Sequence, residues 1–343
     1  MGNIVSFPEL GWEFDVQKIA FTIFGVQIAW YGVIISVAMA ISIIYAFSHS
    51  DRFNLDNDKM LDAVIGGIIG GVIGARLYYV IMKHEDYKTF KDIINIREGG
   101  LAVYGGIIGA FLTAYVICRI KKLSFLKLFD LAGICLCIGQ AIGRWGNFFN
   151  QEAFGTNTKL PWGMTSQEVQ GYILSITNDG KLANGKELLW DVPVHPCFLY
   201  ESIWCVLGFV FLAWYSKRRK FDGQIFLMYI GWYGLGRFFI EGLRTDSLYI
   251  GNIRASQLVA ALCVIVSATL LVILSKKSTA NKTAFATNTA KIVSEFDDNS
   301  GETEDIIQDE FLNEPVKKAQ EVANAISNFE RKTIEEIENG DSN

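Results

Sequence analysis

The densest run of chemically capable side chains in this sequence is Gly143-Arg144-Trp145-Gly146-Asn147-Phe148-Phe149-Asn150-Gln151-Glu152. A guanidinium such as that of Arg144 offers a planar fork that grips a phosphate or carboxylate with two parallel hydrogen bonds. Asn147 and Asn150 supply amide donors and acceptors, and Glu152 supplies a carboxylate. Gly143 and Gly146 would let the backbone leave a helix and approach a ligand closely, and Phe148 and Phe149 would rest against acyl chains. A second constellation is Tyr233, Arg237, Glu241 and Arg244, spaced by four, four and three, so that one helical face carries all four. Leu235, Phe238, Phe239 and Leu243 surround them. A polar stripe on such a helix must face a bundle interior, a cavity or a lipid headgroup layer. Arg76 and Glu201 are further charges inside apolar stretches. An arginine at the centre of a bilayer costs about 2.5–3.5 kcal/mol on insertion scales, so these residues need a reason to be there. One reason is structural, an Arg–Glu pair that fixes helix packing. The other is chemical, guanidinium groups converging on a phosphate.

The elements that must position these groups are membrane helices. Hydrophobic residues make up 51% of the chain, gathered in runs long enough to cross a bilayer core that needs about 20 residues. The expected spans are 22–47, 60–82, 101–118, 125–143, 197–216, 224–242 and 256–275. The fold class is therefore an all-α polytopic membrane protein with about seven transmembrane helices. Met1 to Lys18 is acidic and the first apolar run is long enough to stay in the membrane, so no cleaved leader is expected. Basic clusters follow the third span (Arg119, Lys121, Lys122), the fifth (Lys217 to Lys220) and the seventh (Lys276, Lys277). Counting basic residues places these three links in the cytoplasm and the N-terminus outside, against the smaller vote of Lys83, Lys88, Lys91 and Arg97. That orientation puts Arg144, Glu241 and Arg244 at the depth of outer-leaflet phosphates. It also puts the long link from Trp145 to Pro196 outside, where its length and polarity predict a small extracytoplasmic head over the bundle. Glycines recur every fourth residue in the second span (Gly66, Gly70, Gly74), the third adds Gly105, Gly106 and Gly109, and all are read as residues that let helices pack closely.

The membrane part is expected to end near residue 278. Residues 279–343 hold fifteen acidic against six basic residues, and such a segment buries too little apolar surface to fold alone. It is read as a largely disordered cytoplasmic tail, with one stretch around Val316, Ala319, Ala323, Ile326 and Phe329 at helical spacing. The six cysteines sit in or beside apolar helices and are read as packing residues.

The run from Gly143 to Glu152 closely resembles the signature G-R-x-G-N-F-x-N-x-E of the prolipoprotein diacylglyceryl transferase family. Trp30-Tyr31-Gly32 resembles that family's W-Y-G element, His195 to Glu201 its H-P-x-x-L-Y-E, and Tyr233 to Arg244 its Y-G-x-x-R-x-x-x-E-x-x-R. The likeness covers roughly residues 20–275. It implies an enzyme of the bacterial cell membrane. Phosphatidylglycerol would donate its diacylglyceryl group to the lipobox cysteine thiol in the signal peptide of a prolipoprotein, forming a thioether and releasing glycerol phosphate. Arg144 and Arg237 would neutralise charge on the leaving phosphate. Tyr31, Asn147, Asn150, Glu152, His195, Tyr233 and Arg244 would bind substrate. One position departs from the pattern: Tyr104 stands where many members carry a histidine. A phenol with a pKa near about 10 is a poor resting base, so either an activated Tyr104 relays the proton, a carboxylate such as Glu241 accepts it, or the site mainly lowers the pKa of the substrate thiol. No metal, cofactor or nucleic acid enters this reading, whose partners are phosphatidylglycerol, membrane lipids and the prolipoprotein. The competing readings are a lipid or solute transporter built on the same arginines and a structural scaffold that recruits partners through its tail.

Overall fold

The computed structural model describes residues 4–87, 89–95, 99–177, 180, 187–245, 249–250 and 253–298. The long helices are α1 (Trp30–His49), α2 (Asn57–Met82), α4 (Val103–Lys121), α5 (Phe125–Asn150), α7 (Cys197–Tyr215), α8 (Gln224–Glu241) and α9 (Ala255–Asp298), with short helices α3 (Phe90–Ile94) and α6 (Gln167–Ile176) between them. All seven expected spans are therefore helical. Six helices among the described residues are long and apolar enough to cross a membrane. The other long helix, α8, is made less apolar by Gln224, Arg237 and Glu241, the same residues that give it a polar stripe. The first span begins at Trp30 rather than at residue 22. Residues 19–29 form instead an antiparallel hairpin of β3 (Ile19–Ile23) and β4 (Val26–Ala29), turned at Phe24 and Gly25 with positive φ.

The extracytoplasmic head expected from 145–196 takes in more of the chain at one end and less at the other. Helix α5 continues through the signature to Asn150, so the connecting segment begins only at Gln151. The N-terminal residues join it: β1 (Ile4–Phe7) pairs antiparallel with β2 (Trp12–Asp15) on one side and with β5 (Thr165–Ser166) on the other. Val5, Phe7 and Val16 are buried there with Phe154, Met164, Val169, Ile173, Leu188 and Val194, and Phe148 of α5 and Phe198 of α7 complete the same core. The small domain thus rests on the ends of the two helices that bring Arg144 and Glu201 together. A two-stranded ribbon of β6 (Tyr249–Ile250) and β7 (Ile253–Arg254) precedes α9.

The opposite end of the bundle is tied by polar contacts. The carboxylate of Asp130, fully buried near the start of α5, accepts hydrogen bonds from the backbone N–H groups of Gly223 (2.9 Å) and Phe226 (3.0 Å). The first turn of a helix leaves such donors without intrahelical partners, so Asp130 caps α8 from the neighbouring helix and sets its height. Arg219 lies 3.7 Å from Asp130 and over the Phe53 ring, and Arg52 donates to the Ser216 hydroxyl. Helices α2 and α4 approach closely through their glycines: a Cβ on Gly74 would strike the Gly105 carbonyl, and one on Gly109 that of Gly70. Small residues are what allow helix backbones to meet in this way.

The described residues divide into two units, the first ending at Ser275 and the second beginning at Lys276. Helix α9 runs on to Asp298, so the start of the acidic segment is helical rather than irregular. The helical spacing at 316–329 lies outside the described residues.

Candidate active site

Three helices bring the charged residues to one place. Glu201, in the first turns of α7, is 4% exposed. Its Oε2 lies 2.6 Å from Nη2 of Arg144 on α5, and its Oε1 lies 2.7 Å from Nη1 of Arg237 on α8. Arg244, just beyond α8, approaches the same Oε1 at 3.6 Å. Arg237 turns its other nitrogen to Glu241 one turn along α8, at 2.5 Å, and Arg144 donates to the Tyr233 hydroxyl at 3.4 Å. One buried carboxylate therefore gathers three guanidinium groups. Counting Glu241, the five ionised groups carry one surplus positive charge. Charges held together in a low-dielectric setting interact strongly, and this surplus suits an anionic ligand.

Arg144 also faces outward from that network. With Gln140, Gly143 and Asn147 it forms the polar end of a cleft of about 490 Å³ between α1 and α5, whose walls include Tyr31, Ile35, Ala38, Met39 and Leu136. A smaller apolar cleft of about 180 Å³ shares Met39, Ser42, Ala132 and Cys135 with the first and extends toward Met60, Val64 and Ile68 of α2. A guanidinium at the end of an apolar channel matches an amphiphile with a charged head and hydrocarbon chains.

The glycines of the signature serve this cleft differently from the expectation. The helix does not end at Gly143 or Gly146. A side chain on Gly146 would bring its Cβ to 2.7 Å from the Tyr31 ring, so this glycine lets Tyr31 lie against α5 and line the cleft. Trp30 stacks on Phe149 at 5.2 Å in the next turn. The helix ends at Gln151, whose left-handed φ of 56° is followed by 59° at Ala153. Two non-glycine residues in that region within three positions is costly and unusual outside functional sites. Glu152 holds the turn: its Oε1 accepts from the amides of Asn147 (3.0 Å) and Asn150 (3.1 Å). The two asparagines and the glutamate therefore form one unit, and only Asn147 among them also lines the cleft.

His195 lies at the junction of head and bundle. Its Nδ1 is 3.1 Å from the Tyr200 hydroxyl, which accepts from the Trp162 indole at 2.7 Å. Burial lowers the imidazole pKa, which favours the neutral ring. Its backbone pairs with Gly155 and Thr156, and the Thr156 N–H donates to the carbonyl of Leu243, so the segment at 155–156 couples His195 to the end of α8 beside Arg244. Tyr104 stands apart. It is 64% exposed in the first turn of α4, and none of the hydrogen bonds or ring contacts of the described residues reaches it. Arg76, the other buried arginine of the spans, is satisfied by backbone: it donates to the carbonyls of Asp92, Ile93, Gly99 and Gly100 and pins the link between α2 and α4.

Sequence comparison adds a decisive observation to this geometry. Residues 18–273 match the family described as prolipoprotein diacylglyceryl transferase. A phosphatidylglycerol–prolipoprotein diacylglyceryl transferase of Finegoldia magna is 44% identical over 264 residues, covering 76% of this chain and 97% of the relative. Proteins of the same description from Clostridioides difficile and Listeria innocua are 40% and 41% identical, covering 78% and 75% of this chain and 98% and 89% of the relatives. The chain belongs to the prolipoprotein diacylglyceryl transferase family. The region matched contains every residue of the arginine network and of the cleft and stops before the acidic segment.

Within this transferase fold, the residue that sequence reasoning undervalued is Glu201. It stood out as a charge in an apolar helix, yet its place as the shared partner of three arginines depends on how α5, α7 and α8 pack. The available signal was stoichiometric: three arginines on two elements call for more than the one carboxylate of the α8 stripe.

Proposed function

We propose that this protein transfers the diacylglyceryl group of phosphatidylglycerol to the thiol of the lipobox cysteine in a prolipoprotein. The observation that carries the reading is Arg144, which joins a buried arginine network to the polar end of an apolar cleft. Acyl chains would lie along the cleft and the phosphodiester would meet Arg144 and Arg237. In the reaction the cysteine sulfur attacks the glyceryl carbon that bears the phosphate ester. The carbon–oxygen bond breaks, its electron pair leaves with glycerol phosphate, and a thioether forms. The arginines stabilise charge as it grows on the leaving oxygen, the electrostatic contribution that is often the largest in catalysis. Asn147, Asn150 and Glu152 shape the turn that borders the phosphate, and Tyr31 and Tyr233 flank Arg144. His195 and Arg244 border the head, where the peptide would approach. Family membership favours this transferase over a transporter or a scaffold.

The transferase unit is residues 1–278 and works in the bacterial cell membrane. The basic links at 119–122 and 217–220 would be cytoplasmic. The N-terminus and the head would then be extracytoplasmic, on the side where the arginine network lies. Purified protein in phosphatidylglycerol-containing micelles, given a lipobox peptide, should yield the thioether and glycerol phosphate by mass spectrometry. No product under conditions where a relative is active would refute the transferase reading.

Tyr104 is assigned the relay of the thiol proton, acting on bound peptide because the phenol is open to it. Tyr104→Phe should lower kcat by about 10²-fold or more, the usual range for acid–base help, with little change in KM. Unaltered turnover in the Phe variant would transfer the role to Glu241.

A further inference from the structure

Helices α7 and α8 are held together by two tryptophans in a reciprocal arrangement that the reaction chemistry does not itself require. Trp204 of α7 and Trp232 of α8 stack with ring centroids 4.5 Å apart and an interplanar angle of 19°. The indole N–H of Trp204 donates to the backbone carbonyl of Trp232 at 2.9 Å, and that of Trp232 donates to the carbonyl of Trp204, also at 2.9 Å. Each carbonyl lies within a helix, where the residue four positions on would ordinarily shield it. At both places that residue is glycine. A Cβ on Gly208 would lie 2.6 Å from Nε1 of Trp232, and a Cβ on Gly236 would run into the Trp204 indole. The pattern Trp-x-x-x-Gly thus occurs once in each helix, at Trp204 to Gly208 and at Trp232 to Gly236. Each glycine opens the path by which the opposite indole reaches its carbonyl.

The consequence is a fixed register. Stacking alone tolerates sliding, whereas two directed hydrogen bonds of opposite sense allow one height of α7 against α8. Glu201 lies one helical turn before Trp204, and Arg237 directly follows Gly236. Their ion pair therefore sits one turn from the clasp. A slip of the two helices by a single residue, a rise of about 1.5 Å, would part Glu201 from Arg237 and release Arg144. We propose that Trp204, Gly208, Trp232 and Gly236 are positioning residues for transfer: the clasp sets the register that lets Glu201 hold Arg144 and Arg237 at the phosphate. The proposal rests on the transferase reading above, which supplies the reaction to be measured.

The test compares Trp232→Phe and Gly236→Ala with unaltered protein in the thioether assay, at matched amounts of folded protein in micelles of the same lipid. Trp232→Phe keeps an aromatic ring and loses one donor; Gly236→Ala blocks the other indole. Misplacement of reacting groups by about 1 Å costs roughly 100-fold in rate, so kcat should fall by about 10- to 100-fold with KM for phosphatidylglycerol within about twofold. Adding Trp204→Phe to Gly236→Ala should recover part of kcat, because the smaller ring clears the new methyl. Combining Trp232→Phe with Arg237→Lys should give less than the product of the two separate losses, since both act on one pair. A Trp232→Phe enzyme with normal kcat overturns the proposal, as does a loss that follows the folded fraction alone, or one confined to KM. If the unaltered protein makes no thioether, the transferase reading is what fails.

Discussion

Arg144→Ala should abolish diacylglyceryl transfer while leaving the protein folded and in the membrane. Arg144 is the one side chain that both belongs to the buried network, through Glu201 at 2.6 Å, and forms the polar end of the lipid-sized cleft. Removing it takes away the group placed to neutralise the leaving phosphate. Removing one donor placed at an oxyanion that develops in the transition state costs about 10² to 10³ in rate, and for this charged group a loss of about 10³-fold is expected. Folding should survive, because Glu201 retains Arg237 at 2.7 Å and is not left as an unpaired buried charge. Arg144→Lys is the more discriminating variant. An ammonium preserves the charge but cannot hold Glu201, the Tyr233 hydroxyl and a phosphate from one rigid plane, so turnover should remain at least about tenfold below normal. The measurement is thioether formation at equal membrane content, with phosphatidylglycerol binding followed separately. An alanine variant that turns over normally would remove Arg144 from the site.

The parts of this structure that were legible in the sequence are those governed by local pattern. Apolar runs of sufficient length specify membrane helices wherever they occur, and the four-residue repeat of small residues in α2 specifies a close partner, which α4 supplies through Gly105 and Gly109. The stripe of Tyr233, Arg237 and Glu241 likewise had to turn inward. The first helix starts eight residues later than its hydropathy predicts because β3 and β4 are as apolar as a span, and hydropathy does not distinguish a hairpin from the start of a helix. The three-stranded sheet was invisible for a different reason: Ser6 pairs with Thr165 across most of the membrane domain, and such pairing has no local signature. The signature run carries Arg144 and Asn147 into the cleft, but its glycines do not end the helix as their type suggests. Gly146 serves a tyrosine on α1, a contact that no inspection of α5 alone would suggest. Sites assembled from several helices are legible as a set of residue types long before they are legible as a geometry.

Glu201→Gln should also be severely damaging, by a different route from the loss of Arg144. The carboxylate is buried and lies within 2.6 to 3.6 Å of Arg144, Arg237 and Arg244. Glutamine has nearly the same shape, so no cavity is created, but the shared negative charge is lost. The cluster then holds three guanidiniums against Glu241 alone, and taking one partner from a buried ion pair commonly costs about 3–5 kcal/mol. Two measurable consequences follow. Thermal unfolding in detergent should shift to lower temperature, more than for Arg144→Ala, because three cations are then left with a single carboxylate. Transfer should fall by about 10²-fold or more even at temperatures where the variant is folded, since the guanidinium planes lose the group that orients them. The excess positive charge would at the same time tighten the hold on an anionic lipid, so KM should not rise. Added phosphatidylglycerol should recover part of the lost stability, as any ligand that binds only the folded state does, and it should do so more strongly than for unaltered protein. Glu201→Asp separates charge from reach: it restores the negative charge one methylene short of the network and should recover stability better than turnover. If Glu201→Gln unfolds like unaltered protein and keeps its kcat, the arginines are oriented by their helices alone and the shared carboxylate has no part in the mechanism.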